Sequence, residues 1–119
     1  MRHAISVTYG YLADAQIESG DVAGALESHR RSRALRAALS AEFPNNETYA
    51  QLAASARYYE ATVLGRLGRW EESLALHREG LVDNPAGSFD LCRVGEALAA
   101  LGRHEEALGY LGRALQRHE

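Results

Sequence analysis

Leu67-Gly68-Arg69-Trp70-Glu71-Glu72-Ser73-Leu74 returns 34 residues later as Leu101-Gly102-Arg103-His104-Glu105-Glu106-Ala107-Leu108, identical at six of eight positions. A weaker copy, Ser19-Gly20-Asp21-Val22-Ala23-Gly24-Ala25-Leu26, lies 48 residues before the first. Each glycine falls where one apolar periodic run ends and another begins, the place where a helix end needs a left-handed residue. Each therefore marks a turn between two helices. The acidic pairs Glu71-Glu72 and Glu105-Glu106 then fall in a first helical turn, where negative charge meets the positive end of the helix dipole.

Working outward from each glycine, the residue seven before it is Ala13, Ala61 or Gly95, and the residue five after it is Ala25, Ser73 or Ala107. All six are small, which lets two antiparallel helices cross closely. Larger apolar residues flank them: Leu12, Leu64, Val94 and Leu98 on the first helices, Leu26, Leu74, Leu81, Leu108 and Leu115 on the second. Two residues past each glycine, Val22, Trp70 and His104 are expected to plug the gap between helices. The only two prolines, Pro44 and Pro85, fall between one hairpin and the next, where the chain must reverse.

Composition agrees. Ala and Leu supply 37 of the 119 residues, so strong helix formers dominate and the expected fold is all-α. That length suits one domain able to bury roughly two thirds of its unfolded surface without disulfides or metal. The lone Cys92 excludes an internal disulfide. No apolar run approaches a membrane span or a signal peptide, so a cytoplasmic protein is expected. All 13 basic side chains are Arg and the formal net charge is −3; a bias towards Arg is associated with GC-rich bacterial genes.

The 34-residue period, the helix-turn-helix unit, the small residues at the crossing and the prolines between units together resemble the tetratricopeptide repeat from about Ala4 to Gln116. The resemblance implies a right-handed superhelix of three hairpins, at about 3–41, 46–83 and 87–118, forming one domain over 1–119. Two departures stand out. Ser32 and Arg33 occupy the places of Gly80-Leu81 and Ala114-Leu115, and Arg57 and Glu60 occupy places where the family has large apolar residues. The 48-residue spacing exceeds 34 by 14 residues, close to four helical turns, so two extra turns on each flanking helix keep the apolar faces in phase. That reading ends one helix near Ala41 and starts the next near Asn46, capped by Asn45 or Asn46. Units lengthened in this way resemble the kinesin light chain type within the family.

The resemblance implies a protein interaction scaffold whose concave groove is lined by first helices. Carried onto this chain, the groove positions are Val7, Gly10, Asp14 and Ile17, then Ser55, Tyr58, Thr62 and Arg66, then Phe89, Cys92 and Glu96, with Tyr11, Tyr59 and Arg93 at the edge. Asp14, Tyr58, Tyr59, Arg66, Phe89, Arg93 and Glu96 are the expected partner-binding residues, because aromatic and Arg side chains offer area and directional hydrogen bonds. Tyrosines at this spacing also serve as packing between hairpins, and both roles stay open here. Family members that grip chaperone C-termini use Lys and Asn on first helices. Here Lys is absent and Asn45, Asn46 and Asn84 lie in turns, so that clamp is missing, while Arg66 and Arg93 can hold a carboxylate bidentately.

Other chemistries find little support. His29 and His77 both stand nine residues after their glycine, which points to equivalent packing, and the histidines lack the spacing that converges on zinc, so no metal or cofactor is expected. His3 and His118, near the termini, are expected to be solvated. Arg30, Arg31, Arg33 and Arg36 form the one charge run; with no aromatic interleaving and a negative net charge it reads as a solvated outer face, with no nucleic-acid partner. No phosphate loop, nucleophile-base pair or zinc helix marks an enzyme. Cys92 reads equally as a reactive thiol or as a small, partly buried side chain. Leu108, Leu111 and Leu115 on the last helix have no following helix to cover them, which makes self-association, as a homodimer, the alternative to peptide binding.

Overall fold

A computed structural model describes residues 1–116; the expected end of the third hairpin at 118, and His118, lie outside the described residues. Six helices follow one another: α1 (Arg2–Glu18), α2 (Val22–Glu42), α3 (Glu47–Arg66), α4 (Trp70–Asp83), α5 (Ser88–Ala100) and α6 (His104–Gln116). No strand occurs among the described residues. Each helix packs on its neighbours in sequence, and α3 also touches α5, as in a stack of antiparallel hairpins.

The three turn glycines have φ of +92°, +75° and +79° at Gly20, Gly68 and Gly102. Around each, two backbone bonds close the preceding helix in the same way. Arg69 N donates to Leu64 O at 2.9 Å and Gly68 N to Gly65 O at 3.0 Å, with matching pairs at Asp21 and Gly20 and at Arg103 and Gly102. This double closure requires a left-handed residue, which accounts for glycine at all three positions. The six small residues of the crossings are buried. At the second crossing the Ser73 hydroxyl donates to Ala61 O at 2.7 Å, so the close approach also satisfies a polar group.

The lengthened helices reach 21 residues in α2 and 20 in α3, against 13 in α5 and α6. Asn46 caps α3, its side chain accepting from Tyr49 N at 3.0 Å. Two apolar clusters join the hairpins: Leu26 with Val63 and Leu64, and Leu74 with Val94, Ala97, Leu98 and Ala107. Full burial of a Leu is worth about 2 kcal/mol, so these equivalent leucines, Leu26 and Leu74, anchor each hairpin to the next.

The departures from the repeat pattern explain each other. Glu60 is buried, and Arg33 Nη1 donates to its Oε1 at 3.3 Å while Arg30 Nε lies 3.7 Å from Oε2. Arg33 also lies 3.7 Å from Glu79, Arg30 3.7 Å from Glu72, and Arg57 pairs with Asp83 at 3.0 Å. The expectation of a solvated arginine face therefore holds for Arg31, which pairs with Glu27 in solvent, and fails for Arg33 and Arg36, which enter the α2–α3 interface. A buried carboxylate is costly without a cation, and the run supplies two.

The expectation that His104 plugs its hairpin also fails, because His104 is exposed. Trp70 inserts beside Gly65, where a Cβ would lie 2.9 Å from its ring. The third hairpin has Ala99 at the place of Gly65, and that methyl removes the notch.

Candidate functional site

Residues of α1, α3 and α5 line one side of the array in a chain of three open pockets. The first, of about 250 Å³, is walled by Val7, Gly10, Tyr11 and Asp14 of α1, by α2, and by Tyr59. The second, of about 610 Å³, runs past Asp14, Ile17, Thr62, Arg66, Arg93 and Glu96. The third, of about 410 Å³, lies among Ser55, Tyr58, Tyr59 and Phe89. Tyr59 lines all three. The large exposed rings on this side are Tyr11, Tyr59 and Phe89, with Phe89 77% and Tyr59 52% accessible.

The third pocket is held open by an aromatic cluster. Tyr58 stands edge-on to Tyr59 at 5.9 Å, to His77 at 5.3 Å and to Phe89 at 6.3 Å between ring centroids. Its hydroxyl accepts from Arg93 Nε at 3.1 Å, and Arg93 Nη1 donates to Glu96 at 3.1 Å. The bond to Tyr58 raises the Arg93 pKa further, so the guanidinium is a fixed cation whose remaining N–H groups can face a ligand. Tyr58 packs between hairpins and presents a polar tip, whereas Tyr59 is largely open. Arg66, exposed at the end of α3, makes no ion pair among the described residues. Cys92 is exposed on α5 and lines none of these pockets.

Second helices contribute to the site as well, which a reading based on first-helix positions misses. His29, Ser32 and Arg36 of α2 floor the first pocket, and Trp70 of α4 walls the second. His29 stacks on Tyr59 with ring centroids 5.8 Å apart. Burial pulls its imidazole pKa below the ordinary value, with Arg36 acting in the same direction and Asp14 and Glu60 against it. Among the described residues no group of three or more His, Cys, Asp or Glu side chains is placed to hold a metal ion.

A separate surface lies on α6. Leu108 and Leu115 are 70% and 68% accessible, whereas Leu26 and Leu74, at the place of Leu108 in their units, are buried by the following hairpin. Leu111 is placed differently. It seats over Gly95, where a Cβ would lie 2.6 Å from its side chain, and so belongs to the crossing of α5 and α6.

The tetratricopeptide repeat sequence model matches residues 91–119. No curated protein matches the chain. Among solved structures, a crystal structure of MamA protein is 20% identical over 97% of this chain and 55% of that one, with a TM-score of 0.72. A second MamA crystal structure is 20% identical over 98% of this chain and 60% of that one, with a TM-score of 0.73. These likenesses show the fold, and the chain spans little more than half the length of these two structures.

Proposed function

From the premise that this chain is a tetratricopeptide-repeat protein, we propose that it is a non-catalytic interaction module holding a peptide segment of a protein partner along the side lined by α1, α3 and α5. Such arrays are scaffolds for protein contacts. The observation that carries the reading is the row Tyr59, Tyr58, Phe89 and Arg93. Two exposed rings border a tyrosine whose hydroxyl fixes an arginine, and residues of these types dominate binding energy at protein interfaces. The groove suits an extended or helical segment with apolar side chains for Tyr59 and Phe89 and an acidic one for Arg66 or Arg93.

A test starts from peptides selected out of a displayed random library on the intact chain. Arg66→Ala with Arg93→Ala should weaken the best peptide about tenfold or more, at unchanged helix content. Unchanged affinity in that variant would remove these residues from the site.

The α6 face supports a second reading. We propose that another copy of the chain covers Leu108 and Leu115, as α5 covers Leu74 and Leu81 within the array. The two readings use different surfaces and are compatible.

A further inference from the structure

His29 and His77 occupy the same place in successive units, nine residues after Gly20 and Gly68, yet their surroundings differ. His77 Nδ1 lies 3.0 Å from Asp90 Oδ1, a carboxylate supplied by the first turn of α5. Room for it comes from Gly80, where a Cβ would lie 2.5 Å from Asp90 Oδ2. At the places that correspond to Asp90 and Gly80, the first interface has Ala56 and Ser32. Ala56 has no carboxylate, and the Ser32 hydroxyl is spent on Ser6 O at 3.0 Å.

His29 is 5% exposed and its ring has no hydrogen bond to a described residue; since no buried side-chain nitrogen or oxygen among the described residues lacks a partner, its ring nitrogens open onto solvent in the pocket. It faces the open pocket of about 250 Å³. Arg36 lines the same pocket and forms no ion pair with a described carboxylate. It donates to Ser6 Oγ at 3.4 Å and to Leu52 O at 3.3 Å, both neutral acceptors, so neither supplies a counter-charge. Burial lowers its pKa, against the pull of the Tyr59 hydroxyl. The charged and titratable groups around His29 are Tyr11 and Asp14 on α1, Arg36 on α2, and Tyr59 and Glu60 on α3, with Arg66 of α3 and Arg93 and Glu96 of α5 along the larger pocket that it also borders.

We propose that this pocket is a carboxylate subsite, in which a carboxylate of the bound peptide sits between the His29 imidazole and the Arg36 guanidinium, against the Tyr59 ring. The carboxylate gives His29 the partner that Asp90 gives His77, and gives Arg36 a planar acceptor that its fork can meet with two parallel N–H bonds. Because a bound carboxylate favours protonated His29, binding strengthens as pH falls towards the imidazole's range. The proposal rests on the peptide-groove reading and adds one anchor to it.

Two small probes separate the sources of such a carboxylate: N-acetylglycine presents a chain end, and N-acetylaspartate N-methylamide presents a side chain. Each is titrated into the intact chain while the His29 and His77 ring resonances are followed by NMR. A saturable shift at His29 with at least one probe is expected, with a rise in the His29 pKa and His77 unmoved. Arg36→Gln and His29→Gln should each weaken the probe about tenfold, with folding checked by helix content. The double change Ala56→Asp with Ser32→Gly, which copies the Asp90–Gly80 arrangement, should weaken it too by supplying an internal carboxylate. No saturable shift with either probe, or a probe affinity that backbone amide shifts show to be unchanged in both Arg36→Gln and His29→Gln, would overturn the subsite. Inorganic phosphate binding where both carboxylates fail would also overturn it. A library-selected peptide that still engages Tyr58 and Arg93 would meanwhile leave the groove reading intact.

Discussion

Arg33 of α2 and Glu60 of α3 meet at 3.3 Å across the first interface between hairpins, at the places where the second interface packs Leu81 onto the cluster containing Val94. One interface is ionic where its neighbour is apolar. Removing one member of a buried pair leaves the other charge uncompensated, whereas replacing both with apolar residues is often neutral. Because Arg30 and Arg33 keep partial access to solvent, Glu60→Ala should cost about 1–3 kcal/mol. Arg33→Leu with Glu60→Val, which rebuilds the apolar pair, should stay within about 1 kcal/mol of the parent. Denaturant unfolding measures both, and equal losses in the two variants would contradict this account of the interface.

Gly65 admits the Trp70 ring. Alanine is the better helix former by about 1 kcal/mol, but its Cβ would lie 2.9 Å from Trp70 Cζ3, and a rigid ring cannot yield as a flexible side chain can. Gly65→Ala should therefore destabilise by about 1–3 kcal/mol and shift the tryptophan fluorescence. A more stable variant with unchanged fluorescence would show that the notch is not filled in solution.

Burial lowers the His29 pKa in the folded state, so the unfolded chain takes up this proton first. The folded state's advantage from neutral His29 is complete above the unfolded pKa of about 6.5. It is lost as pH falls from there through the lower folded value. Comparing unfolding free energies at pH 7.5 and pH 5, His29→Gln should lose less stability than the parent. An identical or steeper loss in the variant would assign the acid sensitivity to other groups.

Leu108 and Leu115 project from α6, while Leu111 is engaged with Gly95. If a second copy covers this face, light scattering should give a mass of about 26 kDa for the parent, twice the chain mass of 13.0 kDa. Leu108→Glu with Leu115→Glu should return it to a monomer with helix content retained. A parent monomeric at every concentration would refute the second reading, and Leu111 is unsuitable for this test because its loss opens the hairpin itself.

The hairpins were legible because their signals are local: a glycine at positive φ, small residues at fixed distances from it, and 14 extra residues that preserve helical phase. What escaped depends on residues far apart in the chain. The arginine run reads as solvated when taken alone, since Glu60 and Glu79, which it meets, are more than 25 residues away. Arg33 in one unit and Glu60 in the next each depart from the repeat pattern, and only the facing of their positions across the interface joins them. His104 matches Trp70 in position alone, whereas insertion depends on the opposing residue, Gly65 in one hairpin and Ala99 in the other. First-helix positions do bring Asp14, Tyr59, Arg66 and Arg93 to one surface, but His29 and Arg36 reach that side from α2, a second helix outside the groove positions of the repeat.

Backbone amide NMR of the intact chain with a library-selected peptide locates the bound segment without relying on a substitution. The groove account predicts shifts concentrated in α3 between Ser55 and Arg66 and in α5 between Phe89 and Glu96. Shifts confined to α4 and α6, or centred on Leu108 and Leu115, would contradict it.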